Sequence, residues 1–205
     1  MRKKNFVKDY LQSILIAVLI ALFVRAFIVQ AFKIPSASME PTLLVGDYLF
    51  VNKFIFGIRI PYMKGKLFRF KKPQRGDVIV FIFPMDPSKD FIKRVIGTGG
   101  EKVEIVQNRI LINDRVIDDP WGHFEKIGST EYRQTIGNFG PVVVPKDSLF
   151  VMGDNRNNSE DSRFWGFLNI DAVLGEAFVI YFSWDRHAET LVDEVRWPRI
   201  GKLIH

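Results

Sequence analysis

Two hydroxyls stand two residues apart in "KIPSASMEPTLLVGDYLFVNK", residues 33–53, where Ser36 and Ser38 occupy a small-residue turn between an apolar segment and a strand-like run. The chain has no cysteine, which excludes thiol catalysis, disulfides and cysteine-ligated zinc, so a nucleophile must be oxygen or nitrogen. A serine also needs a base. There is no G-x-S-x-G elbow, and the histidines are His123, His187 and His205. "SWDRH" offers Ser183, Asp185 and His187, but groups this close in sequence seldom converge as a triad, and the stretch reads as a strand end followed by a polar loop. Neither an H-E-x-x-H motif nor an acidic cluster with ligand spacing occurs, so no metal is implied, and no cofactor motif stands out.

Lysine is the remaining base. A neutral amine can accept a serine proton if burial or nearby cations bring its pKa down from about 10.4 toward the working pH. Such a lysine must sit among apolar residues, and Lys93 in "DFIKRVIG" does. As a strand, this stretch puts Lys93 on one face with Phe91 and Val95, and Arg94 on the other with Ile92 and Ile96. Taken alone, the stretch is better read as the commoner case, a lysine on a half-exposed strand.

Several kinds of element must position these groups. With 205 residues, 14% of them aromatic, the chain can build one substantial core, with or without a smaller appended lobe. Its net charge is +6, and position assigns that charge to a partner. Arg2, Lys3, Lys4 and Lys8 precede an apolar run, and Tyr48 to Gly76 carries eight lysines and arginines with no acid. No zinc-finger, RNA-binding or helix-turn-helix signature accompanies them, so nucleic acid is not expected and a membrane surface is. Residues 11–32 are interrupted only by Gln12, Ser13, Arg25 and Gln30. As a helix they would span about 33 Å, enough to cross a bilayer core, with the basic residues 1–10 in the cytoplasm and the rest exported. The alternative is a cleavable secretory signal. It has a poor cleavage site at Phe32-Lys33-Ile34-Pro35, and a cut after Ser38 would destroy the serine pair.

After Pro35 the pattern becomes extended. Short Val, Ile and Phe runs such as "DVIVFIF", "KVEIVQ", "RILIND" and "SLFVMGD", broken by Gly, Pro, Asn and Asp, predict an all-β body. A hairpin is expected at Asn113-Asp114. We expect a β body over 33–103 and 149–205, with residues 104–148 as a small inserted lobe. "FIFGIRIPYMKGKLFRF", residues 54–70, reads either as an ordinary hairpin on the core or as an aromatic, cationic loop dipping among lipid headgroups.

"PSASMEPTL", "GDYLFVNK", "RGDVIVFIFP", "FIKRVIGTGG" and "GDNRNNSEDSRFWG" follow the order and approximate spacing of the boxes of bacterial type I signal peptidases, and the chain resembles that family from its N-terminal segment to about Trp184. The resemblance implies a mostly β fold of the signal-peptidase/repressor-cleaving type behind a transmembrane helix. It implies a serine endopeptidase of the cytoplasmic membrane, active on its outer face, that removes signal peptides after Ala-x-Ala. It implies Ser38 as nucleophile, Lys93 as general base, and Ser36 as the hydroxyl that joins the Ser38 N–H at the oxyanion. Ser159 would orient the lysine amine, and Arg94, Asp154, Asp161 and Arg163 would form a supporting charged network. Ile34, Met39, Leu43, Val80, Phe91 and Ile92 would line the substrate pockets, although without the resemblance all six read as core. Preprotein signal peptides and membrane lipids are the implied partners. If the serine segment is extended, Ser36 and Ser38 share a face. Ala37 stands where many relatives have glycine, Thr98-Gly99 where Pro-Gly is frequent, and Asn157 where an acid is common. Two rivals remain: a membrane-tethered β-domain without enzymatic activity, and a soluble Ser-Lys autoprotease of the repressor-cleaving type, which should carry a DNA-binding region ahead of the serine.

Overall fold

The computed structural model describes residues 6–59, 66–67, 70–124, 137–185, 188 and 194–205. It opens with helix α1 (Phe6–Phe27), and the described residues that follow are mainly antiparallel β, with a short helix at Ser162–Trp165 and three 3₁₀ turns. Helix α1 ends earlier than expected from the apolar run. Val29–Lys33 forms strand β1, which pairs with β2 (Asp47–Asn52) in the register Val29↔Asn52 to Lys33↔Tyr48, so residues 29–32 belong to a sheet edge. Apolar character runs on across the junction, so hydropathy does not mark where helix gives way to strand. Among the described residues no helix is long and apolar enough to cross a membrane, which departs from the expected span. Side chains of α1 are described at Lys8 and from Tyr10 to Arg25, and Leu11, Ile14, Leu15, Ile16, Val18, Leu19, Ile20, Leu22 and Phe23 are all exposed.

The main sheet has seven strands. From one edge it runs β1, β2, β13 (Val173–Ser183), β5 (Val78–Ile82), β6 (Asp90–Thr98), β11 (Ser148–Met152) and β12 (Leu168–Asn169). Its central strands carry apolar residues on both faces, as doubly covered strands should. Along β5, Val78 and Val80 join one core cluster while Ile79 and Phe81 join another. Along β11, Leu149 and Val151 face the second cluster while Phe150 and Met152 face a third. The runs "VIVFI" and "SLFVM" are continuous rather than alternating for this reason.

A second sheet has the order β10 (Phe139–Val143), β7 (Lys102–Val106), β8 (Arg109–Ile112) and β9 (Arg115–Val116). Its inward Val103, Ile105, Ile110 and Ile112 pack on Phe150 and Met152. The expected hairpin lies between β8 and β9, with φ of 51° and 65° at Asn113 and Asp114, as a two-residue hairpin turn requires. Gln107 and Asn108 form a second such turn, at φ of 50° and 65°, which the sequence reading did not single out. Strands β3 (Ile58–Arg59) and β4 (Lys66–Leu67) pair in the 54–70 stretch, where Phe54 and Phe70 stack at 4.4 Å. Residues 60–65 and 68–69 of that stretch lie outside the described residues.

Candidate active site

Ser38 and Lys93, 55 residues apart in sequence, meet in the interior: Lys93 Nζ lies 2.8 Å from Ser38 Oγ. Their exposures are 8% and 4%. The lysine rises from the middle of β6, between the paired strands β5 and β11, and its Nζ also donates to the Ile92 carbonyl at 3.0 Å and lies 5.3 Å from the Phe91 ring centroid. Burial is the main reason its pKa falls, to about 8, with the charges of Asp161, Glu160 and Asp154 partly opposing the shift. With a pKa of about 8, roughly a tenth of the amine is neutral at pH 7 and about half at pH 8, far more than for an ordinary lysine.

Ser38 does not sit in an extended segment. Ala37–Met39 form a 3₁₀ turn, so shared strand parity does not relate Ser36 to Ser38. The turn arises because the chain must leave β1 and reach β2 within a short loop, and it closes through Glu40 N–H to the Ala37 carbonyl and Leu43 N–H to the Met39 carbonyl. Both serines nevertheless line one cleft of about 320 Å³ with Pro35, Phe91, Ile92 and Lys93. Ser36 is exposed and its hydroxyl does not cap the turn. Ala37 is not among the non-glycine residues with positive φ, so no glycine is needed there.

A second segment clamps the serine from below. Asn155 N–H donates to the Ser38 carbonyl at 3.1 Å, and Gly153 packs against the same carbonyl. A Cβ at position 153 would stand 2.3 Å from both Ser38 O and Ser159 Oγ. Gly153→Ala should therefore lower kcat/KM for peptide cleavage by about 10²-fold or more by displacing Ser38, an effect of misplacement rather than lost chemistry. An alanine variant with wild-type activity would show that the contact is not needed. Ser159 Oγ accepts the Gly153 N–H at 3.1 Å, and Lys93 Nζ bonds Ser38 Oγ and the Ile92 carbonyl rather than Ser159.

The charged residues are packed in. Arg94 and Asp154, both 0% exposed at the side chain, form a two-pronged pair: Nε to Oδ1 at 2.8 Å and Nη2 to Oδ2 at 2.7 Å. Arg94 also donates to the Gly76 carbonyl and lies over the Trp121 ring, while Thr42, four residues past the serine, donates to Asp154 Oδ2 at 2.6 Å. Asp161 accepts from Gly153 N–H and from Arg163 Nε and Nη2. With side-chain exposures of 0% and 5%, Asp161 and Arg163 form a buried clamp rather than the solvated pair their spacing alone describes. Sequence reasoning missed Arg156, which is 1% exposed, bonds the Gly153 carbonyl, and pairs with Asp119 from another segment. Nothing in the Asp119 stretch signals that pairing.

The six apolar positions divide into two levels. Phe91 and Ile92 line the cleft, whereas Ile34, Met39, Leu43 and Val80 form the buried cluster against which Ile92 packs. Ser183 is part of neither: its Oγ donates to Asp47 Oδ1 at 2.6 Å, beside the Arg199 guanidinium, and His187 lies outside the described residues. Among the described residues no cluster of His, Cys, Asp and Glu could hold a metal.

Known proteins share this chain's sequence over most of its length. The family described as "Signal peptidase, peptidase S26" matches residues 7–184. Signal peptidase I of Pseudomonas fluorescens is 37% identical, over 90% of this chain and 75% of that protein. Signal peptidase I of Aquifex aeolicus is 36% identical, over 88% and 84% respectively. A solved signal peptidase I from Enterococcus faecalis is 30% identical over 52% of this chain and 97% of its own, with a TM-score of 0.42. Because the match runs from α1 through the serine turn, β6 and the Gly153 segment to Trp184, the chain belongs to the signal peptidase family, peptidase S26.

Proposed function

We propose that this chain is a membrane-anchored serine endopeptidase that removes signal peptides from exported preproteins after small residues, with Ser38 as nucleophile and Lys93 as general base. The observation that carries the reading is the 2.8 Å approach of a buried, pKa-lowered amine to a serine hydroxyl at the floor of an open cleft. The neutral Lys93 amine takes the Ser38 Oγ proton as Oγ attacks the scissile carbonyl carbon. The resulting oxyanion is met by the Ser38 N–H and the Ser36 hydroxyl. As the tetrahedral adduct collapses, the Lys93 ammonium returns the proton to the leaving amine, and an ester on Ser38 remains. Lys93 then deprotonates a water molecule, which releases the signal peptide as a free acid and restores the serine.

A bound apolar peptide would exclude water from the cleft and keep the amine neutral. Phe91 and Ile92, backed by Ile34, Met39, Leu43 and Val80, offer shallow apolar room suited to alanine side chains. The basic start and the exposed apolar side chains of α1 from Leu11 to Phe23 support attachment to a bacterial cytoplasmic membrane, with the catalytic body (33–103 and 149–205) and a small lobe (104–148) on its outer face.

The test is cleavage of an Ala-x-Ala preprotein by the full chain in detergent. Mass spectrometry should place the cut after the second alanine, and kcat/KM should rise with pH through about 8 as Lys93 loses its proton. A rate unchanged between about pH 6 and about pH 10 would remove the lysine from the base role.

A further inference from the structure

Phe91, one wall of the serine cleft, does not stand alone. Its ring lies flat against Phe83, with centroids 4.1 Å apart and planes 5° from parallel. Phe83 is 7% exposed and does not line the cleft. Strand pairing explains the contact: Phe81 of β5 faces Phe91 of β6, so Phe83, two residues on, meets Phe91 diagonally on the same face. Phe83 is itself fixed where the hairpin turns, since its N–H donates to the Lys89 carbonyl at 2.9 Å and its carbonyl accepts from Asp86 N–H at 3.3 Å. Trp165, the last residue of the short helix Ser162–Trp165, meets Phe83 edge-on at 6.0 Å and Phe81 at 5.9 Å. At the other end of the stack, Lys93 Nζ stands over the Phe91 ring at 5.3 Å and bonds Ser38 Oγ, so that ring faces the residue whose carbonyl the serine attacks.

We infer that Phe83 is a positioning residue for cleavage specificity: by bracing Phe91, it keeps the cleft beside Ser38 too narrow for a branched side chain at the residue before the cut. The inference rests on the serine endopeptidase reading proposed above. A phenylalanine on a strand has more than one staggered rotamer open to it, so the wall holds only while the space behind the ring is filled. Phe83 fills that space with a flat face at stacking distance. Deleting the Phe83 side chain leaves room into which the Phe91 ring can turn, and the cleft gains what the ring gives up. An aliphatic side chain of similar size would fill the room but offer no flat face, so it would brace the wall less well.

The full chain in detergent is given two preproteins that differ only at the residue before the cut, Ala-x-Ala and Ala-x-Val, with mass spectrometry certifying the bond cleaved. Wild type should favour alanine about 100-fold, within the range for small changes of side-chain size in an apolar pocket. Phe83→Ala should shrink that preference roughly tenfold, and should do so by raising kcat/KM for the valine substrate. Lost stability or a displaced dyad cannot raise a rate, and a changed Lys93 pKa acts on both substrates alike and cancels in the ratio. Phe83→Leu should shrink the preference about threefold, whereas Phe83→Tyr, which keeps the ring, should keep the wild-type ratio. Should Phe83→Ala not fold, Phe83→Leu decides alone. An unchanged ratio in the aliphatic variants, or a fall in rate on both substrates by the same factor, would overturn the inference and leave the endopeptidase reading standing. A wild-type chain that cleaves neither preprotein would take both down.

Discussion

Lys93→Arg is expected to abolish preprotein cleavage, with a fall of about 10⁴-fold or more that matches Ser38→Ala, because two groups acting as one unit fail together. Arginine keeps the charge and the reach but cannot give up its proton in a protein, so it cannot act as the base. Lys93→Met should be equally inactive and yet more stable at neutral pH. Below about pH 8 the Lys93 amine is charged in both the folded and the unfolded chain, and burial makes that charge unfavourable only in the fold. The burden is fully present below the folded pKa of about 8 and lifts as pH rises toward the ordinary value of 10.5. Denaturant unfolding should show Lys93→Met ahead of wild type by about 3 kcal/mol near pH 7, and by about 1 kcal/mol near pH 9.5. A gain of equal size at both pH values would mean that packing, not ionisation, is responsible. An active Lys93→Arg enzyme would end the dyad assignment.

Asp154→Ala is expected to cost about 3 to 5 kcal/mol, the range for removing one partner of a buried ion pair. Arg94 would keep its charge at 0% exposure with, among the described residues, the Gly76 carbonyl and the Trp121 face left to meet it, and the Thr42 hydroxyl would lose its acceptor. Combining Arg94→Met with Asp154→Leu should recover much of this loss, because two apolar side chains carry no orphaned charge. Activity should not recover to the same extent, since the Thr42 bond that holds the segment after Ser38 stays broken. Urea midpoints and peptide cleavage, measured on the two single variants and the pair, read both effects. A loss below about 1 kcal/mol for Asp154→Ala would show that water reaches the pair.

The chemistry was more legible in the sequence than the geometry that delivers it. "DFIKRVIG" announced a lysine among apolar residues on a strand, and the structure puts Lys93 at 4% exposure on β6. Short apolar runs announced the strands, while the covering of β5 and β11 on both faces became visible only in the fold. By contrast, hydropathy alone could not mark the helix-to-strand change near Phe27, because the end of α1 and strand β1 are built from the same apolar residue types. The 3₁₀ turn at Ala37–Met39 escaped because its bonds depend on where β2 begins, which is a tertiary fact. Arg156 with Asp119 and Asp47 with Arg199 escaped for another reason: pairs 37 and 152 residues apart leave no local spacing to read.

Ser38 lies early in the chain but is held by residues that come much later in it. The Ser38 carbonyl rests on Asn155 N–H, and the Thr42 carbonyl accepts from Arg199 Nη2 at 2.9 Å. A product truncated ahead of the Gly153 segment therefore lacks the Asn155 N–H on which the Ser38 carbonyl rests. The seat of Ser38 is complete only once the segment around Gly153 and the turn that ends at Arg199 have both been made.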